Sequence, residues 1–204
     1  MTKTHLASVL LLLCLAAAPA RATQEYVLPT LFDVTGVAGD DVLNVRERPD
    51  AAAAVVGTLA PDATRVEVVE EMGGWGRVNA DETSGWVNLR YLAYRTDVWQ
   101  PGALPDQTRC FGTEPFWSLD LAADGARLSR PDVEERSLPL RAVLGNGVFR
   151  DPMRAIVAQG LTVTLIPQLC SDGMSDRLFG LRAEVVLDGD SPTLLSGCCS
   201  IRPD

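Results

Sequence analysis

Near its C-terminus the chain reads CSDGMSDRLFG over residues 170 to 180 and SGCCS over residues 196 to 200. Cysteine, aspartate and glycine at such short spacing could hold a metal, run redox chemistry or staple a fold. A zinc knuckle places two thiolates as C-x2-C, and no such pair occurs here. A redox centre would use C-x-x-C or an isolated activated thiolate. Calcium would want the D-x-D-x-D-G alternation, whereas Asp172 and Asp176 stand in D-G-M-S-D, a stretch that reads better as a tight turn beside a bridge. The expectation is no metal and no cofactor.

A staple is the reading that remains. Cys198 and Cys199 are neighbours, so their Cα atoms sit about 3.8 Å apart, where an unstrained disulfide wants roughly 4.4 to 6.8 Å. In an extended strand their side chains also point to opposite faces. Cys110 and Cys170 are therefore each expected to pair with one member of the Cys198-Cys199 step, in either combination. Such bridges close loops of about 30 and 90 residues, each contributing roughly 3 to 5 kcal/mol in the loop-entropy account.

Carboxylates offer a second chemistry. Glu114 lies between Gly112 and the Pro115-Phe116-Trp117 run. Apolar surroundings would raise its pKa as a general acid requires, and Asp172 or Asp176 could serve as the partner base of a hydrolase-like pair. The plainer alternative is that Glu114 caps a backbone N–H or pairs with Arg177, since structural ion pairs also perturb carboxylates.

Other routes to catalysis are closed by the N-terminus. Lys3 and His5 form a short basic stretch, Leu6 to Ala18 an apolar core, and Ala20-Arg21-Ala22 a small-residue cleavage site. That is the pattern of a secretory signal peptide over residues 1–22, cleaved after Ala22. Cys14 follows Leu13 rather than a small residue, which disfavours a lipid anchor. No later segment carries eighteen uncharged apolar residues, so no transmembrane segment is expected, and the mature protein reads as periplasmic. The only lysine and the only histidine leave with the signal. Without histidine there is no Ser-His-Asp or Cys-His pair and no His-containing zinc site, and without lysine no Schiff base. The mature part keeps 16 arginines against 27 acidic residues, a net charge of −11. Such a surface repels phosphate backbones, so nucleic acid is not an expected partner.

The elements that must position these residues read as all-β. From residue 31, DVLNVRERPD, AVVGTLA, RVEVVEE, GGWGRVNA and SGWVNLRYL are short apolar runs separated by Pro-Asp and glycine turns. Five strands so spaced imply a small barrel over residues 31–95. Residues 96–106, with two prolines, a glycine and one aromatic anchor, Trp99, read as a linker. Residues 107–204 continue with EPFWSLDLA, ARLSR, SLPLRAVL, GLTVTLIPQ and GLRAEVVLD as strand candidates. Leu161, Val163 and Leu165 alternate with threonine there, as a half-buried strand requires. DPMRAIVAQG reads as one or two helical turns ending at Gly160. The expectation for this half is a small disulfide-stapled β-barrel or curled sheet.

Two resemblances follow from these residues. L-N-V-R-x-x-P (Leu43 to Pro49), V-V-G-T-L (Val55 to Leu59), G-W-x-R-V (Gly74 to Val78) and G-W-V-x-x-x-Y-L (Gly85 to Leu92) resemble the bacterial SH3-like domain. That resemblance implies a five-stranded barrel used for targeting or binding in exported proteins, often with peptidoglycan. Trp75, Trp86 and Tyr91 are its candidate binding aromatics, with Arg46 and Arg48 as candidate contacts to a peptide carboxylate. The alternative use of the two tryptophans is to fill a very small core. CFGTEPFWSLDL, CSDGMSDRLFG and the terminal GCC resemble a family of exported bacterial proteins and lipoproteins with no assigned activity. Its members share C-x-G-x-E-P-F-W, C-S-D-G-M-S-D and G-C-C, and often an aromatic just after S-D-R, where this chain has Leu178-Phe179. Glu114, Trp117, Asp172 and Asp176 are thereby motif positions of unassigned role. The reading that results is an exported, non-enzymatic envelope protein whose partner is peptidoglycan or another envelope protein. A hydrolase built on Glu114 with Asp172 or Asp176, and an inhibitor of wall hydrolases, are the alternatives.

Overall fold

The computed structural model describes residues 26–202, so the signal peptide expected over 1–22 lies outside the described residues. The first half contains β1 (Thr30–Val34), β2 (Leu43–Arg46), β3 (Val55–Leu59), β4 (Val66–Val68), β5 (Glu70–Met72), β6 (Trp75–Ala80), β7 (Thr83–Asn88) and β8 (Leu92–Tyr94). They form a three-stranded sheet in the order β4-β1-β8 and a five-stranded sheet in the order β3-β2-β7-β6-β5. Period-two burial drives the closure: β2 buries Leu43 and Val45, β4 buries Val66 and Val68, and β6 buries Val78 and Ala80. Those side chains meet Phe32 and Val87 in one core. RVEVVEE breaks at Val69, so one run supplies β4 to the first sheet and β5 to the second. A two-residue turn of Gly73 and Gly74, with φ of 57° and 82°, joins β5 to β6. Positive φ at both turn positions matches the twist of a tight hairpin and favours glycine.

The second half contains β9 (Thr108–Thr113), β10 (Phe116–Ala122), β11 (Gly125–Arg130), β12 (Val133–Leu138), β13 (Leu140–Leu144), β14 (Arg154–Ala158), β15 (Leu161–Cys170), β16 (Phe179–Leu187) and β17 (Thr193–Ser200). Their order, β12-β11-β10-β9-β17-β16-β15-β14-β13, makes a nearly closed antiparallel barrel in which the first strand pairs with the last. Only Pro139 separates β12 from β13. One residue is too little chain to reverse direction, so the two are halves of a bent strand, the first half paired with β11 and the second with β14. The interior is filled by inward side chains, among them Leu119, Leu121, Val163, Leu165, Leu181 and Val185.

Residues Arg154–Ala158 correct the expectation of helical turns in DPMRAIVAQG, because they form β14. Arg154, Ile156 and Ala158 are buried while Ala155 and Val157 are half-buried, which is strand alternation. The segment pairs with β13 on one side and β15 on the other, and those two ladders outweigh the local helix preference of Met, Arg and Ala.

Both disulfides sit in this barrel and settle the pairing left open by adjacency. Cys110–Cys199 joins directly opposed residues of β9 and β17, with Cα atoms 4.0 Å apart, inside the core. Cys170–Cys198 links the end of β15 to β17. The adjacent cysteines therefore serve opposite faces of one strand, and the bridges span sequence separations of 89 and 28. Disulfides accord with an extracytoplasmic protein. Among the described residues no helix is long and apolar enough to cross a membrane.

The segment at 96–106 is held at both barrels. Val98 and Trp99 are buried with the second core and Leu31 of β1, and the Trp99 indole N–H donates to the carbonyl of Pro29 at 2.7 Å. Arg154, 4 % exposed, donates to the carbonyls of Gln100, Ala103, Asp151 and Met153. Its guanidinium also lies 5.1 Å from the Trp99 ring centroid. A buried cation surrounded by carbonyls ties the connector to β14.

Candidate binding cleft

Trp75, Tyr91 and Arg46 line a single cleft of about 450 Å³ on the first barrel. The Gly73-Gly74 turn sets Trp75 at the first position of β6, where it is half-buried. Tyr91 is placed by a 3-10 turn, Leu89–Tyr91, whose first N–H groups are capped when Asn88 Oδ1 accepts from the Arg90 backbone at 3.2 Å. The Tyr91 carbonyl then accepts from Thr35 N–H at 2.8 Å, which fixes the turn against the loop after β1. Arg90 lies 4.4 Å from the Tyr91 ring centroid and donates to its hydroxyl. Arg46 spends one guanidinium nitrogen on the Ala53 carbonyl at 2.7 Å, and its fork retains further donors.

Besides the carboxylate of Asp41, the polar lining is completed by Asn44, Asn88 and Arg90. Sequence reasoning passed over these three. Asn44 alternates with the buried Leu43 and Val45 on β2 and so shares the face of Arg46, and Arg90 precedes Tyr91, so each stands beside a residue already singled out. Two aromatic faces, two guanidinium groups, two amides and the Asp41 carboxylate suit an extended peptide, with amides meeting backbone groups, a guanidinium meeting a carboxylate and Asp41 meeting an amine.

Trp86 is elsewhere. It is 3 % exposed on β7, with the Arg77 guanidinium 4.6 Å from its ring centroid, and it is buried on the face of β7 opposite the core residue Val87, outside the cleft lining. Both tryptophans follow glycine in the sequence. Trp75 opens its strand at a turn, whereas Trp86 lies in the middle of β7, opposite Arg46 and Arg77 on the flanking strands. Arg48 is exposed and does not line the cleft.

In the second barrel the three motifs converge at one end. Trp117, 4 % exposed, packs over two glycines of different strands. A Cβ on Gly112 would lie 2.2 Å from Trp117 Nε1, and one on Gly197 would lie 2.8 Å from Trp117 Cζ2 and 2.0 Å from the Phe111 carbonyl oxygen. Those approaches give a packing reason for the glycines of C-F-G and S-G-C-C. Glu114 is exposed at the β9–β10 turn and shares a groove of about 210 Å³ with Asp172, Cys170 and Cys198.

Asp172 caps its own turn: Oδ1 accepts the N–H groups of Met174 and Ser175 at 2.9 and 3.0 Å and the Ser175 hydroxyl at 3.2 Å. Burial pushes its pKa up, but those bonds, with Arg177 nearby, outweigh it and hold the carboxyl below its ordinary value. Asp176 is not in the groove. It is exposed, and its N–H donates to the Glu82 carbonyl of the first barrel at 3.1 Å. The structure thus brings Glu114 together with Asp172 and separates both from Asp176. Among the described residues no three His, Cys, Asp or Glu side chains gather as a metal site would require.

Neither the curated proteins nor the solved structures include a match to this chain. A family model does match the part of the chain that holds the cleft, from the loop before β2 to the end of β8. Residues 41–93 match the family model of the bacterial SH3 domain.

Proposed function

We propose that the protein is an exported, non-enzymatic binding protein of the periplasmic envelope, and that its SH3 barrel takes peptidoglycan peptides or a segment of an envelope protein in the Trp75–Tyr91–Arg46 cleft. The single observation that carries this reading is the convergence of those three side chains on one open cleft in a bacterial SH3 domain. Bacterial SH3 domains serve as binding modules, and aromatic faces beside guanidinium donors are the chemistry that holds an extended peptide. Export accords with the N-terminal pattern ending at Ala22 and with two disulfides in the mature part.

The carboxylates of the second barrel favour binding over hydrolysis. Asp172 has its oxygens committed to its own turn, and Glu114 stands in solvent rather than against apolar surface. Co-sedimentation of the mature protein with purified peptidoglycan tests the reading. Wild type should pellet with the wall, and Tyr91→Ala and Trp75→Ala should pellet about tenfold less while melting like wild type. Equal sedimentation of all three proteins would remove the cleft from the proposal.

A further inference from the structure

The motif loop CSDGMSD and the end of β17 are used against the first barrel. Asn79 at the β6–β7 hairpin clasps Leu178 with both amide atoms, Nδ2 donating to its carbonyl at 2.9 Å and Oδ1 accepting its N–H at 3.0 Å. Asp176 bridges to Thr83. Gly180 packs so closely on Pro29 that a Cβ would come within 2.5 Å of it. At the centre is Glu67 of β4, a residue from the SH3 barrel. Its Oε2 accepts the Ser200 hydroxyl at 2.6 Å and the Ile201 N–H at 3.3 Å, while Oε1 is buried with no hydrogen-bond partner.

An ionised carboxylate with one bare oxygen in such a place costs far more than a neutral carboxyl group. We infer that Glu67 is a proton-operated latch between the two barrels: the neutral carboxyl group keeps them docked, and ionisation loosens the docking. The neighbours admit that role. Arg177 of the motif loop is the cation acting on Glu67, and the end of β17 contributes Ser200, Ile201 and the Arg202 N–H. β1, paired alongside, puts Leu31 opposite it, and β6 packs on the other, Val68 face of β4.

Burial is the largest influence and raises the Glu67 pKa from 4.5 to about 7, against the Ser200, Ile201, Arg202 and Arg177 contributions that lower it. The docked state therefore binds the proton more tightly than an undocked one. The stability that the Glu67 proton contributes to docking is present in full below about pH 4.5 and is lost progressively as the pH rises through about 7.

Amide exchange of the mature, disulfide-intact protein reads the latch directly, because the Leu178 and Ile201 N–H groups cross the interface. After correction for intrinsic rates, their protection should fall at least tenfold between pH 5.5 and 8.5 in wild type and stay level in Glu67→Gln, which keeps the acceptor but cannot ionise. An unchanged wild type, or the same fall in Glu67→Gln, would overturn the inference. Should Glu67→Gln fail to fold, carbon NMR titration of the Glu67 carboxyl in wild type decides: a midpoint near 7 supports the latch, and one near 4.5 overturns it.

Discussion

The two barrels solve the same problem, closing a short antiparallel sheet around a core, with different means. The SH3 barrel has no cysteine and fills its interior with Phe32, leucines and valines, leaving Trp75 and Tyr91 on the surface beside arginines. The second barrel closes its first strand on its last through a buried disulfide, and uses Trp117 and Trp99 as fillers. Four tryptophans thus divide three to one between packing and a position lining the cleft. What separates Trp75 from Trp86 and Trp117 is placement within the strand: Trp75 opens one at a hairpin turn and is half-buried, while the other two lie inside theirs and are buried, Trp117 on the inward face of β10 and Trp86 on the face of β7 opposite Val87.

The strongest way to break that contrast is to remove the disulfides. Reduction, or Cys110→Ala with Cys199→Ala, should cost the second barrel about 4 to 5 kcal/mol from the longer loop. Scanning calorimetry should show its transition falling well below that of the cysteine-free SH3 barrel; equal shifts in both would mean that they unfold as one unit. Next is Arg154→Met, which deletes donors to four carbonyls at the junction. Leaving those acceptors buried should cost about 3 kcal/mol, visible as a lower denaturant midpoint, together with protease cleavage within 96–106. An unchanged midpoint would show the connector to be held by Trp99 alone.

Function should respond the other way round. Tyr91→Ala should weaken peptidoglycan co-sedimentation about tenfold, or ~1.4 kcal/mol, at unchanged melting temperature. Trp86→Phe should lower the melting temperature and leave the affinity of the folded protein as it was. The reverse pattern would exchange the roles of the two aromatics. The smallest effect belongs to Asp172. Its pKa is held below the ordinary 3.8 in the folded chain. The stability from its cap is therefore present above about pH 3.8 and lost as the pH falls through the depressed value. Asp172→Ala should cost about 1 kcal/mol at pH 7 and remove that acid-side loss, as measured by thermal melts at pH 2 to 5.

The all-β class, the SH3 segment and the rule that each outer cysteine pairs with one of the adjacent two were legible in the sequence, because alternation, turn residues and covalent reach are local properties. The cleft residues Trp75, Tyr91 and Arg46 were legible through motif spacing, but their meeting was not, since β2, β6 and the 3-10 turn come together only when the barrel closes. Trp86 is buried although register sets it beside Arg46 and Arg77 on the outward face of β7, and the strand at Arg154–Ala158 was decided by two flanking ladders that local propensity does not contain. Glu67 gave no signal at all: it reads as the solvent-facing residue of V-E-V, and faces water until Ser200, 133 positions away, arrives against it. Sequence alone determined what each strand can bury. The tertiary structure decided which outward faces became interfaces, because the desolvation of a side chain depends on what packs over it and not on its neighbours in the chain.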